Sequence, residues 1–347
     1  MMQALDLTCS GLKNSERESC LRNLSDFLVG EQNKLPFEMS SRGWCYYLEP
    51  LGLRKGSFDT AQDTINECRK KGRINGFLDI DFVLEDNGRR FQGVEKPEVI
   101  DPVSYYVESL KQVVDSEDWY TPDWWEGEKY YIQMMVEKVD LISLFKPICE
   151  EYHIPIANAK GWSDLYMKGD AAKRFRAAEE NGLTPVLLYC GDFDPYGLKI
   201  SEKIPKLFRE IEGATQWDPS NLIVDRFGLN YDFITAHDLT WIDNLESGSG
   251  KDMLRSTNSA VKSIVADFLR ESHGRAGKVE ANAIVKDYEA GRSLARSSIE
   301  KYLGTGSRER FTEKKSAAVV KVQEFKKKYG LSKIFGKIFN DIDGGDL

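Results

Sequence analysis

The sequence predicts an α/β protein organised around a parallel sheet, and three stretches carry that prediction. YYIQMMVEK (130–138) is an apolar run that ends in Glu137. PVLLYCGDFDPYGLKI (185–200) is a second, ending in Asp192 and Asp194, and IPIANA (154–159) is a shorter third. The runs are apolar at successive positions and rich in β-branched and aromatic residues, the mark of strands buried on both faces. Helix-like segments separate them, so the strands lie parallel and their carboxyl ends share one edge, where open α/β sheets bind ligands. Glu137, Asp192 and Asp194 should meet there. Crowded carboxylates repel unless protons or a cation neutralise them, and hard oxygen ligands favour Mg²⁺ or Mn²⁺. Asp194 has a second reading: before Pro195 it suits the N-cap of a helix.

The elements before the sheet are short. Residues 1–38 hold one predicted helix, near 16–28 and ended by Gly30. In EMSSRGWCYYLEPLGL, Ser40 or Ser41 caps a helix that runs to about Glu49, where Pro50 and Gly52 stop it. Asp59 caps the next helix, whose apolar face carries Ile65 and Cys68 and which ends in the basic CRKKG. FLDIDFVLEDNGRRFQG then reads as two extended stretches around Asn87-Gly88, a type I′ hairpin signal. Two helices followed by a hairpin is the order of a winged helix. Its second helix would face DNA, with Arg69, Lys70, Lys71 and Arg73 reaching phosphates. The other reading of such a run is a solvated helix face.

Residues 96–129 form a connector with Pro97, Pro102 and Pro122 and the cluster WYTPDWW, whose Trp119, Trp124 and Trp125 are expected to pin it to the next domain. Beyond the acidic strands the sheet is predicted to continue with NLIVDRFGL (221–229), and GKVEANAIV (277–285) is a further strand candidate. ESGSGKD (246–252) lacks the full GxxxxGK[ST] spacing and is read as a turn. GRSLARSSIEKYL reads as an amphipathic helix, followed by a lysine-rich helix near 313–329 and a short acidic tail. The division is therefore 1–95 winged helix, 96–129 connector, 130–240 metal-binding domain, and 241–347 the remainder of that region with a basic helical tail.

Composition sets the outer bounds. The 347 residues suffice for two or three domains, and 41% hydrophobic with 30% charged residues is an ordinary soluble balance. No apolar run approaches the roughly 20 residues of a membrane span, and the first residues lack the basic and apolar regions of a secretory signal. The six cysteines show no CxxC and no metal spacing; Cys149 and Cys190 lie in apolar runs as buried thiols, and a reducing cytosol, or a nucleoid within it, is expected. A net charge of −8 argues mildly against nucleic acid, but phosphate binding depends on local patches. Besides 69–73, the segment 308–337 carries ten basic residues against three acidic ones.

A strand-end Glu137 followed by Lys138, then DFDPYG one βαβα unit later, resembles the Toprim domain. The DxDPxG form, with GWSDL (161–165) after the middle strand, resembles the A subunit of topoisomerase VI and its relative, the meiotic double-strand-break transesterase. In that superfamily a winged helix precedes Toprim and carries a nucleophilic tyrosine four residues after an arginine, within an aromatic pair. Here Arg42-Gly43-Trp44-Cys45-Tyr46-Tyr47 places the nucleophile at Tyr46 by the arginine spacing and at Tyr47 by the aromatic pair, because Cys45 stands where the family carries an aromatic. The resemblance spans roughly 36–240 and is closest to stand-alone, A-subunit-only relatives. It implies a type IIB topoisomerase A-like enzyme that cuts double-stranded DNA with Mg²⁺. Cutting is by tyrosine transesterification in a homodimer, the tyrosine of one protomer meeting the metal site of the other. An ATPase B-type subunit would act in trans. A tyrosine stores the broken phosphodiester as a reversible phosphotyrosine, and Arg42 one turn earlier would stabilise charge on the phosphate. Two other readings stand beside it: a Toprim nuclease whose metal activates water directly, and a non-catalytic DNA-binding dimer.

Overall fold

A computed structural model of the chain describes residues 9, 12–78, 102–159, 165–246 and 250–343. The predicted hairpin around Asn87-Gly88, most of GWSDL and the centre of ESGSGKD lie outside the described residues. Contacts gather into two compact units, Met1–Glu85 with Lys129–Tyr302, and Asp86–Glu128 with Leu303–Leu347. The expected N-terminal and sheet domains thus belong, as far as they are described, to one unit.

The first unit opens with α1 (Asn14–Gln32), which runs through Gly30 rather than ending there. Ser40 caps α2 (Ser41–Leu48) by accepting from the Gly43 N–H, and α3 (Phe58–Ile74) follows. α1 and α3 pack through a stripe of Leu21, Leu24, Leu28, Ala61, Ile65 and Cys68, all buried. This is the i, i+3, i+4, i+7 spacing of an amphipathic helix pair. In the second unit, α4 (Pro102–Val114) precedes the tryptophan cluster.

The sheet is parallel throughout, with strands β1 (Tyr130–Val136), β2 (Ile156–Asn158), β3 (Thr184–Cys190) and β4 (Ile223–Gly228) in the order β2-β1-β3-β4. β1 and β3 are buried along nearly their whole length, as their unbroken apolar runs require. Between them α5 (Val139–Glu151) and α6 (Leu165–Glu180) make the crossovers. After β3 come α7 (Pro195–Arg209) and the short α8 (Glu212–Thr215); after β4 come α9 (Tyr231–Ala236) and α10 (Ser259–Glu271), which packs on α7.

Residues 277–285 depart from expectation. They form single antiparallel bridges, Phe193 to Val279 and Ile242 to Lys278, and then a 3₁₀ turn over Ala281–Asp287. The apolar run that suggested a strand is buried instead against α2 and α5. α11 (Tyr288–Leu303) closes the unit.

In the second unit, α12 (Ser307–Lys328) carries the lysines, and the expected acidic tail is preceded by a further amphipathic helix, α13 (Leu331–Asp343). Trp124 is buried against Phe311 of α12, ring centroids 4.8 Å apart, while Trp119 is 76% exposed. The connector is therefore tied to the C-terminal helices of its own unit, not by three tryptophans to the sheet. Among the described residues no helix is long and apolar enough to cross a membrane. The cysteine spacing showed no sign of a pair, yet Cys9 and Cys20 are joined in a disulfide, Cα atoms 6.0 Å apart. Cys45, Cys68, Cys149 and Cys190 are buried thiols.

Candidate active site

Register places the acids. Val136 of β1 sits beside Cys190 of β3, so the two strands end in step and the next residues, Glu137 and Gly191-Asp192, emerge together. The Glu137 N–H donates to the Cys190 carbonyl at 2.9 Å, and the Asp192 N–H donates to Glu137 Oε2 at 2.8 Å. Both glycines of GDFDPYG are needed for this approach. A Cβ on Gly191 would stand 2.6 Å from Glu137 Oε2, and one on Gly197 would stand 2.2 Å from the Asp192 carbonyl. Arg226 on β4 holds the loop from below, its guanidinium donating to the carbonyls of Gly191, Asp192, Gly228 and Leu229.

One ammonium spans the acid pair. Lys138 Nζ lies 2.7 Å from Asp192 Oδ2 and 3.7 Å from Glu137 Oε1. Burial lowers the affinity of Lys138 for its proton, but Asp192 and Glu137 outweigh it and the net effect is upward. Burial pushes the Asp192 carboxyl up to about 6, against the pull of Lys138 and with the help of Glu137. The Ala281 N–H donates to its other oxygen, Oδ1, at 2.8 Å. Asp194 takes the N-cap position of α7: its Oδ1 accepts from the Gly197 N–H at 2.6 Å, and burial raises its carboxyl. Glu137 and Asp192 are thus brought to one cation, while Asp194 is oriented toward the helix. Among the described residues no group of three or more His, Cys, Asp and Glu side chains is arranged to hold a metal ion. The Glu137–Asp192 pair fits a hard cation, since its two carboxylates already share a positive charge; Asp194 fits only by giving up its cap.

The tyrosine helix faces the same region. Ser40 Oγ donates to Asp140 Oδ2 at 2.6 Å, and the Ser40 N–H donates to Oδ1, which fastens α2 to the start of α5. Gly43 is the point of closest approach: a Cβ there would be 2.7 Å from Asp140 Oδ1. Tyr46 is fully buried, and its hydroxyl donates to Glu280 Oε2 at 2.7 Å and accepts from Lys55 Nζ at 3.0 Å. Arg42 meets the same carboxylate at 3.2 and 3.4 Å. Burial, then the Glu280 charge, pushes the Tyr46 phenol well above its usual range. Burial would raise the Glu280 carboxyl, but the Tyr46 hydroxyl and Arg42 together hold it low, so it is ionised at neutral pH. Tyr47 points elsewhere, donating to Glu31 Oε2 at 2.9 Å, with its phenol raised to about 12 by burial and then by Glu31.

The basic cluster divides. Arg69 falls on the buried stripe of α3, four residues after Ile65, and donates to Ser41 Oγ at 2.9 Å, so it is not part of an exposed patch. Lys70 is exposed, Lys71 is half-exposed and pairs with Glu67 at 2.7 Å, and the Arg73 side chain lies outside those described. Arg69, Arg42, Lys138, Asn66, Glu280 and Asn282 instead line a cleft of about 540 Å³ between the α2–α3 pair and the loops at the sheet edge.

Glu280, Arg226 and Asn282 were missed by sequence reasoning. Glu280 and Asn282 sat inside an apparent strand, and no motif marks them.

The fold and site define an α/β protein with a four-stranded parallel sheet and a polar cleft at the carboxyl ends of its central strands. Comparison with protein-family models, with curated proteins and with solved structures finds no match.

Proposed function

We propose that this chain is a DNA-cleaving enzyme of the topoisomerase VI A kind, a winged-helix and Toprim protein that uses Tyr46 as nucleophile and Mg²⁺ at the strand-end acids. The observation that supports it is the meeting of Arg42-Tyr46 and Glu137-Asp192 around one cleft through Glu280 and Lys138. The donor set suits Mg²⁺ or Mn²⁺, which when bound would offset charge building on the phosphate. In the step itself the Tyr46 proton passes to the Glu280 carboxylate already accepting it. The Tyr46 oxygen bonds to phosphorus, the bond from phosphorus to a deoxyribose oxygen breaks, and that oxygen takes a proton from water. Arg42 then balances the charge on the phosphate oxygens.

The complete burial of Tyr46 favours a second reading, a metal-dependent nuclease in which the tyrosine only packs. One assay separates them. Labelled supercoiled DNA is incubated with the protein and Mg²⁺, quenched with detergent, and analysed with and without protease. Protein-linked ends support the transesterase; free ends support the nuclease; intact DNA overturns both and leaves a binding protein.

A further inference from the structure

Residues 279–282 join the two halves of the site. Val279 pairs with Phe193 of the acidic loop through two hydrogen bonds, 2.8 and 3.0 Å. The next residue, Glu280, holds the Tyr46 hydroxyl, and the one after it, Ala281, donates its N–H to Asp192. Adjacent residues have Cα atoms 3.80 Å apart, so a single peptide unit sets the spacing between tyrosine and acid. Asn282, 95% buried, lines the cleft beside them, and its side-chain oxygen has no hydrogen-bond partner. The cleft lies within the range of ordinary ligand sites and is walled by cationic and amide groups, which suits a phosphodiester. Moving α2 away to serve another subunit would expose Trp44, Tyr46 and Leu48, each buried to 99% or more, and would separate Ser40 from Asp140.

We propose, on the transesterase reading above, that the cleavage centre is completed within one chain: Tyr46, Glu137 and Asp192 of the same protomer act on one phosphodiester held in this cleft, rather than the tyrosine of one protomer meeting the acids of another.

Mixed assemblies test it. Differently tagged Tyr46→Phe and Asp192→Asn chains are co-expressed, the heteromer is purified over both tags, and covalent adduct is measured on labelled DNA with Mg²⁺. Each variant alone makes no adduct. The heteromer is also expected to make none, whereas a heteromer of wild type with the double variant keeps about half the adduct, one of two equivalent sites being intact. Adduct restored in the Tyr46→Phe with Asp192→Asn heteromer overturns the proposal, because only a site shared between chains could form it. Glu137→Gln in place of Asp192→Asn repeats the test should the latter fold poorly. A wild-type chain that is monomeric and forms adduct supports the proposal directly. Wild type that cuts DNA without adduct removes the transesterase reading itself, and this inference with it.

Discussion

The Tyr46 hydroxyl and the Glu280 carboxylate meet at 2.7 Å across 234 residues of sequence, and that bond ties the tyrosine helix to the edge of the sheet. It makes Tyr46 structural as well as a candidate nucleophile. Tyr46→Phe should eliminate the adduct and also cost about 1–3 kcal/mol in urea unfolding, because the buried carboxylate loses a donor. An isosteric change at an unbonded tyrosine would cost almost nothing. Tyr47→Phe should keep the adduct. The reverse pattern would assign the nucleophile to Tyr47.

Lys138 is expected to act as the resident counter-cation of the acid pair. Lys138→Met leaves Glu137 and Asp192 facing each other uncompensated. Stability at pH 7 should fall by about 3–5 kcal/mol, the cost of removing one partner from a buried pair, and saturating Mg²⁺ should restore part of it. A variant with unchanged stability and no response to Mg²⁺ would show that no shared cation site exists.

Gly43 permits the seating of α2. Gly43→Ala places a methyl group 2.7 Å from Asp140 Oδ1, so unfolding free energy should drop by about 1–3 kcal/mol. Adduct yield should drop with it. Gly30→Ala, in α1 with open space around it, should be neutral to slightly stabilising.

The outer face of α3 tests the DNA contact separately from the cleft. Neutralising Lys70 and Lys71 should lower the salt slope of DNA binding by about one unit per lost phosphate contact, with the fold intact. Arg69→Ala should instead destabilise the α2–α3 pair, since Arg69 lies inward on Ser41. An unchanged slope for the lysine pair marks it as a solvated face.

Glu67 gives a pH signature. Arg17, then Lys71, holds its carboxyl down at about 2, against 4.5 for the free group. A depressed carboxyl contributes stability that is complete above about pH 4.5 and is lost as pH falls toward 2. The pair is partly exposed, so roughly 1 kcal/mol is at stake. Glu67→Gln should be less stable than wild type at pH 7 by that amount, and the difference should vanish near pH 2. A difference that persists there would assign the effect to packing.

The sequence by itself determined the parallel sheet and the position of its acids. Unbroken apolar runs bury strands on both faces, and a carboxylate at the end of such a run must leave at the sheet edge. It also marked the tyrosine helix through Ser40, Pro50 and the amphipathic stripe of α3. Only the tertiary structure decided which groups answer them. Glu280 reaches Tyr46 because 277–285 folds back as a bridge and a 3₁₀ turn, pairing that depends on residues far away in the chain and leaves no period in the sequence. Arg69 turns inward because helix phase, not local charge, sets which side of α3 it occupies. Asp194 caps α7 because the free N–H groups of a helix start lie closer to it than the shared cation of Glu137 and Asp192.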